Sequence, residues 1–91
     1  MNKVIWKYEL VLGLNEIKIP EGAEVLSVQT QHESICMWCL LNPQVDAKER
    51  WFEIYGTGHL VKYDMGVERK FLGTVQMSNA DYIYHVFERI N

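Results

Sequence analysis

The sequence predicts a single mostly β domain over residues 1–91, a small β-sandwich or open barrel of about seven short strands. Three observations lead there. Apolar and polar residues alternate along several short segments, the period of a strand buried on one face. Glycine, proline, asparagine and aspartate interrupt those segments at short intervals, as turns require. The chain is 48% apolar and 12% aromatic, enough for one packed core, while 91 residues are too few for two.

The first segment, Lys3 to Leu12, places Val4, Trp6, Tyr8, Leu10 and Leu12 on one face and Lys3, Lys7 and Glu9 on the other. That is a half-buried strand. Asn15 to Ile19 repeats the alternation briefly, and Pro20-Glu21-Gly22 reads as a turn, with proline fixing one φ and glycine permitting another. Ala23 to Gln31 is a strand, His32-Glu33-Ser34 a short connection, and Ile35 to Leu41 the returning arm of a hairpin. The returning arm is apolar on both faces, which predicts a central, covered strand. Asn42-Pro43 ends it, Gln44 to Glu49 reads as a polar loop, and Trp51 to Tyr55 is the next strand. It runs into Gly56-Thr57-Gly58-His59. A mobile stretch around Tyr63 to Arg69 and a strand from Lys70 to Met77 follow. Two readings stay open for the last segment. Asn79-Ala80-Asp81 could cap a helix, whereas Tyr82 to Phe87 is rich in the aromatic and β-branched residues that suit a strand.

Composition narrows the function. A net charge of −3 argues against a binder of long nucleic acid, which needs a basic face to displace counterions. No apolar run is long enough to span a membrane, and Lys7 and Glu9 interrupt anything resembling an export signal. Two cysteines in such a chain point to free thiols in a reducing compartment.

Cys36-Met37-Trp38-Cys39 has the spacing of a zinc or redox pair, with His32, His59 and His85 as further conceivable ligands. Strand geometry opposes both uses, because residues three apart on a strand point to opposite faces. The pair reads as two buried apolar thiols. No nucleophile elbow or paired catalytic carboxylates appear, so neither catalysis nor a cofactor is expected.

The turn Gly56-Thr57-Gly58-His59 is more specific. Two glycines around a threonine at a strand end can turn backbone N–H groups toward one point, with a hydroxyl and an imidazole beside them. Such a nest suits phosphate or carboxylate oxygens; the competing reading is an ordinary hairpin connection. Gly73-Thr74 is a weaker echo that would add a hydroxyl. Aromatic rings exceed what the core can hold, since Trp51 and Phe52 are neighbours and must face opposite ways. Surplus rings serve either as stacking platforms or as a subunit interface.

The chain also resembles a family of small proteins common in bacteriophage genomes. The resemblance rests on Val4-Ile5-Trp6-Lys7-Tyr8, Ile19-Pro20-Glu21-Gly22-Ala23, Leu26-Ser27-Val28-Gln29, Trp38, Gly56-Thr57-Gly58-His59, Phe71-Leu72-Gly73-Thr74-Val75-Gln76 and His85-Val86-Phe87-Glu88. Small phage proteins of this kind include sponges that sequester cyclic oligonucleotide messengers and so silence host defence. The resemblance therefore implies a non-catalytic binder of a cyclic di- or trinucleotide, acting in the cytoplasm of an infected bacterium as a homo-oligomer. On that expectation Gly56, Thr57, Gly58 and His59 hold phosphate, Trp6 or Tyr8 stacks on a base, and Lys7 or Arg69 supplies the cation. The alternative is an assembly protein whose aromatic residues form an interface between copies.

Overall fold

A computed structural model describes residues 2–61, 65–77 and 81–90. Seven strands follow in chain order: β1 (Val4–Leu10), β2 (Gly13–Pro20), β3 (Glu24–Gln31), β4 (Ser34–Leu41), β5 (Ala47–Gly56), β6 (Arg69–Gln76) and β7 (Ile83–Arg89). They form two antiparallel sheets, one of three strands in the order β1-β4-β3 and one of four in the order β2-β5-β7-β6. The fold is a small all-β sandwich.

The doubly apolar segment is the centre of its sheet, as its pattern requires. Ile35, Met37, Cys39 and Leu41 of β4 enter the core, where they join Phe52 and Ile54 of β5, Val86 of β7 and Ile19 of β2. Cys36 lies on the opposite face of β4; both thiols are buried and free, so the two sulfurs diverge.

The sheets approach most closely where β3 meets β6. A methyl group built on Gly73 would lie 2.5 Å from Cγ2 of Val28, so only glycine admits that approach. At the other seam the chain itself crosses between sheets. The alternation from Lys3 predicts a strand continuing to Leu12, yet β1 stops at Leu10 and the chain turns a corner. The buried Asn15 side chain makes the corner. Its Oδ1 accepts from the Val11 N–H at 2.8 Å, and its Nδ2 donates to the Val11 carbonyl at 2.8 Å. The same amide nitrogen reaches the Gly13 and Phe52 carbonyls. Gly13, with a φ of 96°, completes the turn.

Other boundaries also move. The polar loop expected from Gln44 to Glu49 ends early, because β5 begins at Ala47, where Lys48 and Glu49 pair with Ile19 and Lys18 of β2. Ser34 belongs to β4 opposite Gln31, which leaves His32-Glu33 as a two-residue turn. Both turn residues have positive φ, 51° and 64°. The expected loop from Tyr63 to Arg69 lies partly outside the described residues, and Arg69 opens β6. Asn79 and Ala80 lie outside them too. The final segment is strand β7, not a helix.

The face of β1 carrying Val4, Trp6, Tyr8 and Leu10 is buried only at its far end. Leu10 is enclosed, whereas Trp6 remains 44% exposed. The four-stranded sheet does not cover the start of β1.

Candidate functional site

Alternation along β5 sorts its side chains to the two faces of the four-stranded sheet. Arg50, Phe52 and Ile54 point inward, and Glu49, Trp51, Glu53 and Tyr55 point outward. Trp51 and Phe52 do face opposite ways, with Phe52 wholly buried and Trp51 39% exposed.

Cross-strand register builds the outer face in rows. Glu16, Trp51, Arg89 and Arg69 form one row across β2, β5, β7 and β6. Leu14, Glu53, Phe87 and Phe71 form the next. Phe87 stands edge-on to both Phe71 and Tyr55, with centroids 5.5 and 6.1 Å apart.

Glu53 is the electrostatic centre of this face. Arg69 Nε donates to its Oε1 at 2.7 Å, the Tyr55 hydroxyl donates to its Oε2, and Arg89 Nε stands 3.8 Å away. Burial alone would raise the Glu53 carboxyl, but these hydrogen bonds and the two guanidinium charges outweigh it and hold it below the usual carboxylate range. Two guanidinium groups thus stand at one carboxylate. Beside it, Leu14, Trp51, Arg89 and Ile90 line a hollow of about 360 Å³. On β2, beside Trp51, Glu16 is raised by a hydrogen bond and charge repulsion from Glu49.

The Gly56-Thr57-Gly58-His59 turn lies at the end of the same face. Its backbone donors are largely engaged within the chain. The Thr57 N–H donates to the Ile83 carbonyl at 3.1 Å, and the His59 N–H to the Gly56 carbonyl at 3.0 Å. The Gly56 N–H donates to His59 Nδ1 at 3.2 Å, and Gly58 takes part in none of these bonds. A side chain on Gly56 would strike the His59 ring at 2.7 Å, so the imidazole packs on the backbone it follows. The Thr57 hydroxyl instead joins a relay. It is hydrogen-bonded to His85 Nε2 at 2.8 Å, and His85 Nδ1 to the Thr74 hydroxyl at 3.0 Å. The hydroxyl anticipated from Gly73-Thr74 therefore meets Thr57 through a histidine. A hollow of about 260 Å³ beside the turn is lined by Thr57, His59, Asp81 and Tyr82, a carboxylate among them.

The expected site residues occupy separate places. Thr57 and Arg69 belong to the outer face of the four-stranded sheet, but Trp6, Lys7 and Tyr8 sit on β1 in the other sheet. Trp6 and Tyr8 are on one face of β1 and Lys7 on the other, where its Nζ donates to Gln31 Oε1 at 2.6 Å. Sequence reading did not single out Leu14, Arg89 and Ile90. Arg89 lies opposite Trp51 across 38 positions of sequence, and no local motif signals such a pair.

Cys39 is wholly buried. Burial pushes its thiol up to about 11, with Arg50 opposing and Glu88 adding to the shift. Among the described residues no helix is long and apolar enough to cross a membrane.

No curated protein and no solved structure matches the chain. One family model matches residues 1–91, the whole length, and the chain belongs to that family, a domain of unknown function, DUF7352.

Proposed function

We propose that the protein is a non-catalytic binder of a nucleotide-type ligand, a flat ring bearing phosphate, held in the hollow between Trp51 and Arg89. The carrying observation is that pair. An exposed indole and a guanidinium stand opposite one another on adjacent strands, over a hollow of about 360 Å³ with apolar walls. A ring stacks on the indole, and phosphate oxygens take the guanidinium donors. Arg89, whose Nε stands 3.8 Å from the Glu53 carboxylate, adds positive charge at the hollow in a chain whose overall charge is −3. The cyclic di- and trinucleotides implied by the sequence resemblance have this chemistry, and sequestration of such a messenger in an infected cell is the role that would follow. The buried carboxylate nearest the hollow, Glu53, is engaged by Arg69, Tyr55 and Arg89.

Calorimetry of the full chain against a panel of cyclic di- and trinucleotides tests this reading. At least one member binds, is recovered intact, and loses roughly tenfold or more in affinity with Trp51→Ala or Arg89→Gln. Absence of binding at millimolar concentration for every member would overturn it. Loss through His59→Ala with Trp51→Ala unaffected would move the ligand to the glycine turn. A second reading, assembly of copies, is favoured by a different observation, the exposed start of β1.

A further inference from the structure

We propose that the free edge of β1 pairs antiparallel with β1 of a second copy, about a two-fold axis at Trp6, joining the two three-stranded sheets into one of six strands. The surface is separate from the Trp51-Arg89 hollow, and the inference does not depend on what that hollow binds.

The argument begins with the four edge strands. An uncovered edge offers unpaired N–H and C=O groups to any passing strand, and proteins blunt such edges with bulges, prolines, charges or cover. Three of the four edges here are treated in that way. β3 carries a bulge between Val25 and Ser27, and β6 another between Phe71 and Gly73. These two also face each other, with Val28 seated on Gly73. β2 begins with Gly13, ends with Pro20, and shows Glu16 and Lys18 outward. Of these devices β1 has only the charges Lys7 and Glu9, on one face and beyond its exposed apolar start. It keeps unbroken register with β4 from Val4 to Leu10, without glycine, proline or bulge. Its first half exposes large apolar residues on both faces at once: Val4 is 37% exposed, Trp6 44%, and Ile5, on the reverse side, 56%. A regular, apolar, doubly exposed edge is what a partner strand covers.

Charge selects the occupant and the register. In an antiparallel pair, residues opposite one another share a face, so a symmetric β1-β1 ladder must centre on a residue rather than between two. Centred on Ile5, it sets Lys3 against Lys7 of the second copy; centred on Lys7, it sets that lysine against itself. Both are repulsive. Centred on Tyr8, it pairs Lys7 with Glu9 but leaves Val4 and Ile5 beyond the ladder, and draws Lys7 from Gln31. Centred on Trp6, it places Lys3 opposite Glu9 twice, Val4 opposite Tyr8, Ile5 opposite Lys7, and Trp6 opposite itself. That register alone buries the whole exposed segment and matches unlike charges. A second copy carries the complement of β1 by construction.

Sedimentation equilibrium of the full chain reads the assembly. The chain self-associates, and Trp6→Glu, which sets like charges together on the axis, gives monomer with unchanged far-ultraviolet circular dichroism. Should that variant misfold, the exposed Lys3 and Glu9 still decide. Lys3→Glu and Glu9→Lys each weaken association roughly tenfold, through two symmetric pairs, and the double exchange restores it. A monomer at about 100 µM, on the order of a weak homodimer's Kd, overturns the proposal. So does an oligomer indifferent to all three charge variants, or a double exchange that fails to recover association.

Discussion

Strand β5 carries an ion pair on each of its faces, and the two are built differently. Inside, Arg50 binds Glu88 through two contacts, Nε to Oε2 at 2.6 Å and Nη2 to Oε1 at 2.8 Å. Its remaining Nη1 donates to the Ala23 carbonyl at 2.7 Å, and its guanidinium lies 5.7 Å from the centre of the Phe52 ring. One cation meets one anion, and the guanidinium is engaged on every side. Outside, Arg69 and Arg89 share the single carboxylate of Glu53, and Arg89 stands back at 3.8 Å beside an exposed indole. The inner pair spends its hydrogen-bonding capacity on joining β5, β7 and the start of β3. Arg89, standing off its carboxylate, keeps some for another molecule. Hydrogen-bonding capacity left over, rather than the presence of charge, distinguishes a binding surface from a structural staple.

Arg50→Met breaks the inner pair and is expected to have the largest effect. It strands the buried Glu88 carboxylate and removes the bond to Ala23, costing about 3 kcal/mol of stability, the lower end for a buried pair that loses one partner. Urea unfolding measures the loss; a change under about 1 kcal/mol would make the two pairs equivalent. Glu53→Gln is the milder counterpart. The amide still accepts from Tyr55 and the arginines can turn to water, so the cost is about 1–2 kcal/mol. Affinity for an anionic ligand rises, because the negative charge of Glu53 is removed from beside Arg89.

The smallest effect is a pH dependence. Because the folded Glu53 carboxyl lies below its ordinary 4.5, it stabilises the fold fully above that value. That contribution is lost as pH falls through the lowered folded value. The acid limb of a thermal-stability profile is therefore steeper for the native chain than for Glu53→Gln. Parallel limbs would remove Glu53 as its cause.

Most of the fold was legible because strands advertise themselves locally. Period two marked β1 and β2, and the doubly apolar run of β4 announced its central place. Where the reading failed, distant partners decided. The alternation through Leu12 gives no hint that Asn15 clasps Val11 and forces a corner. His32-Glu33 lacks the glycine or asparagine that such a turn prefers, and is held by the hairpin register on either side. The candidate site was less legible still. Gly56-Thr57-Gly58-His59 was recognisable as a turn, but the fate of its donors rests on Ile83, far along the chain. Trp51 was recognisable as a surplus ring. Its partner Arg89 follows only from knowing that β7 lies beside β5.

Gly73 carries a consequence for genetics. It lines neither the Trp51-Arg89 hollow nor the one beside Thr57 and His59, yet any side chain there would collide with Val28 across the seam of the two sheets. In a saturation-mutagenesis screen it would tolerate as little change as an active-site residue. Intolerance at this position records how tightly the sandwich is shut, and a map of essential residues alone would mistake it for a site of action.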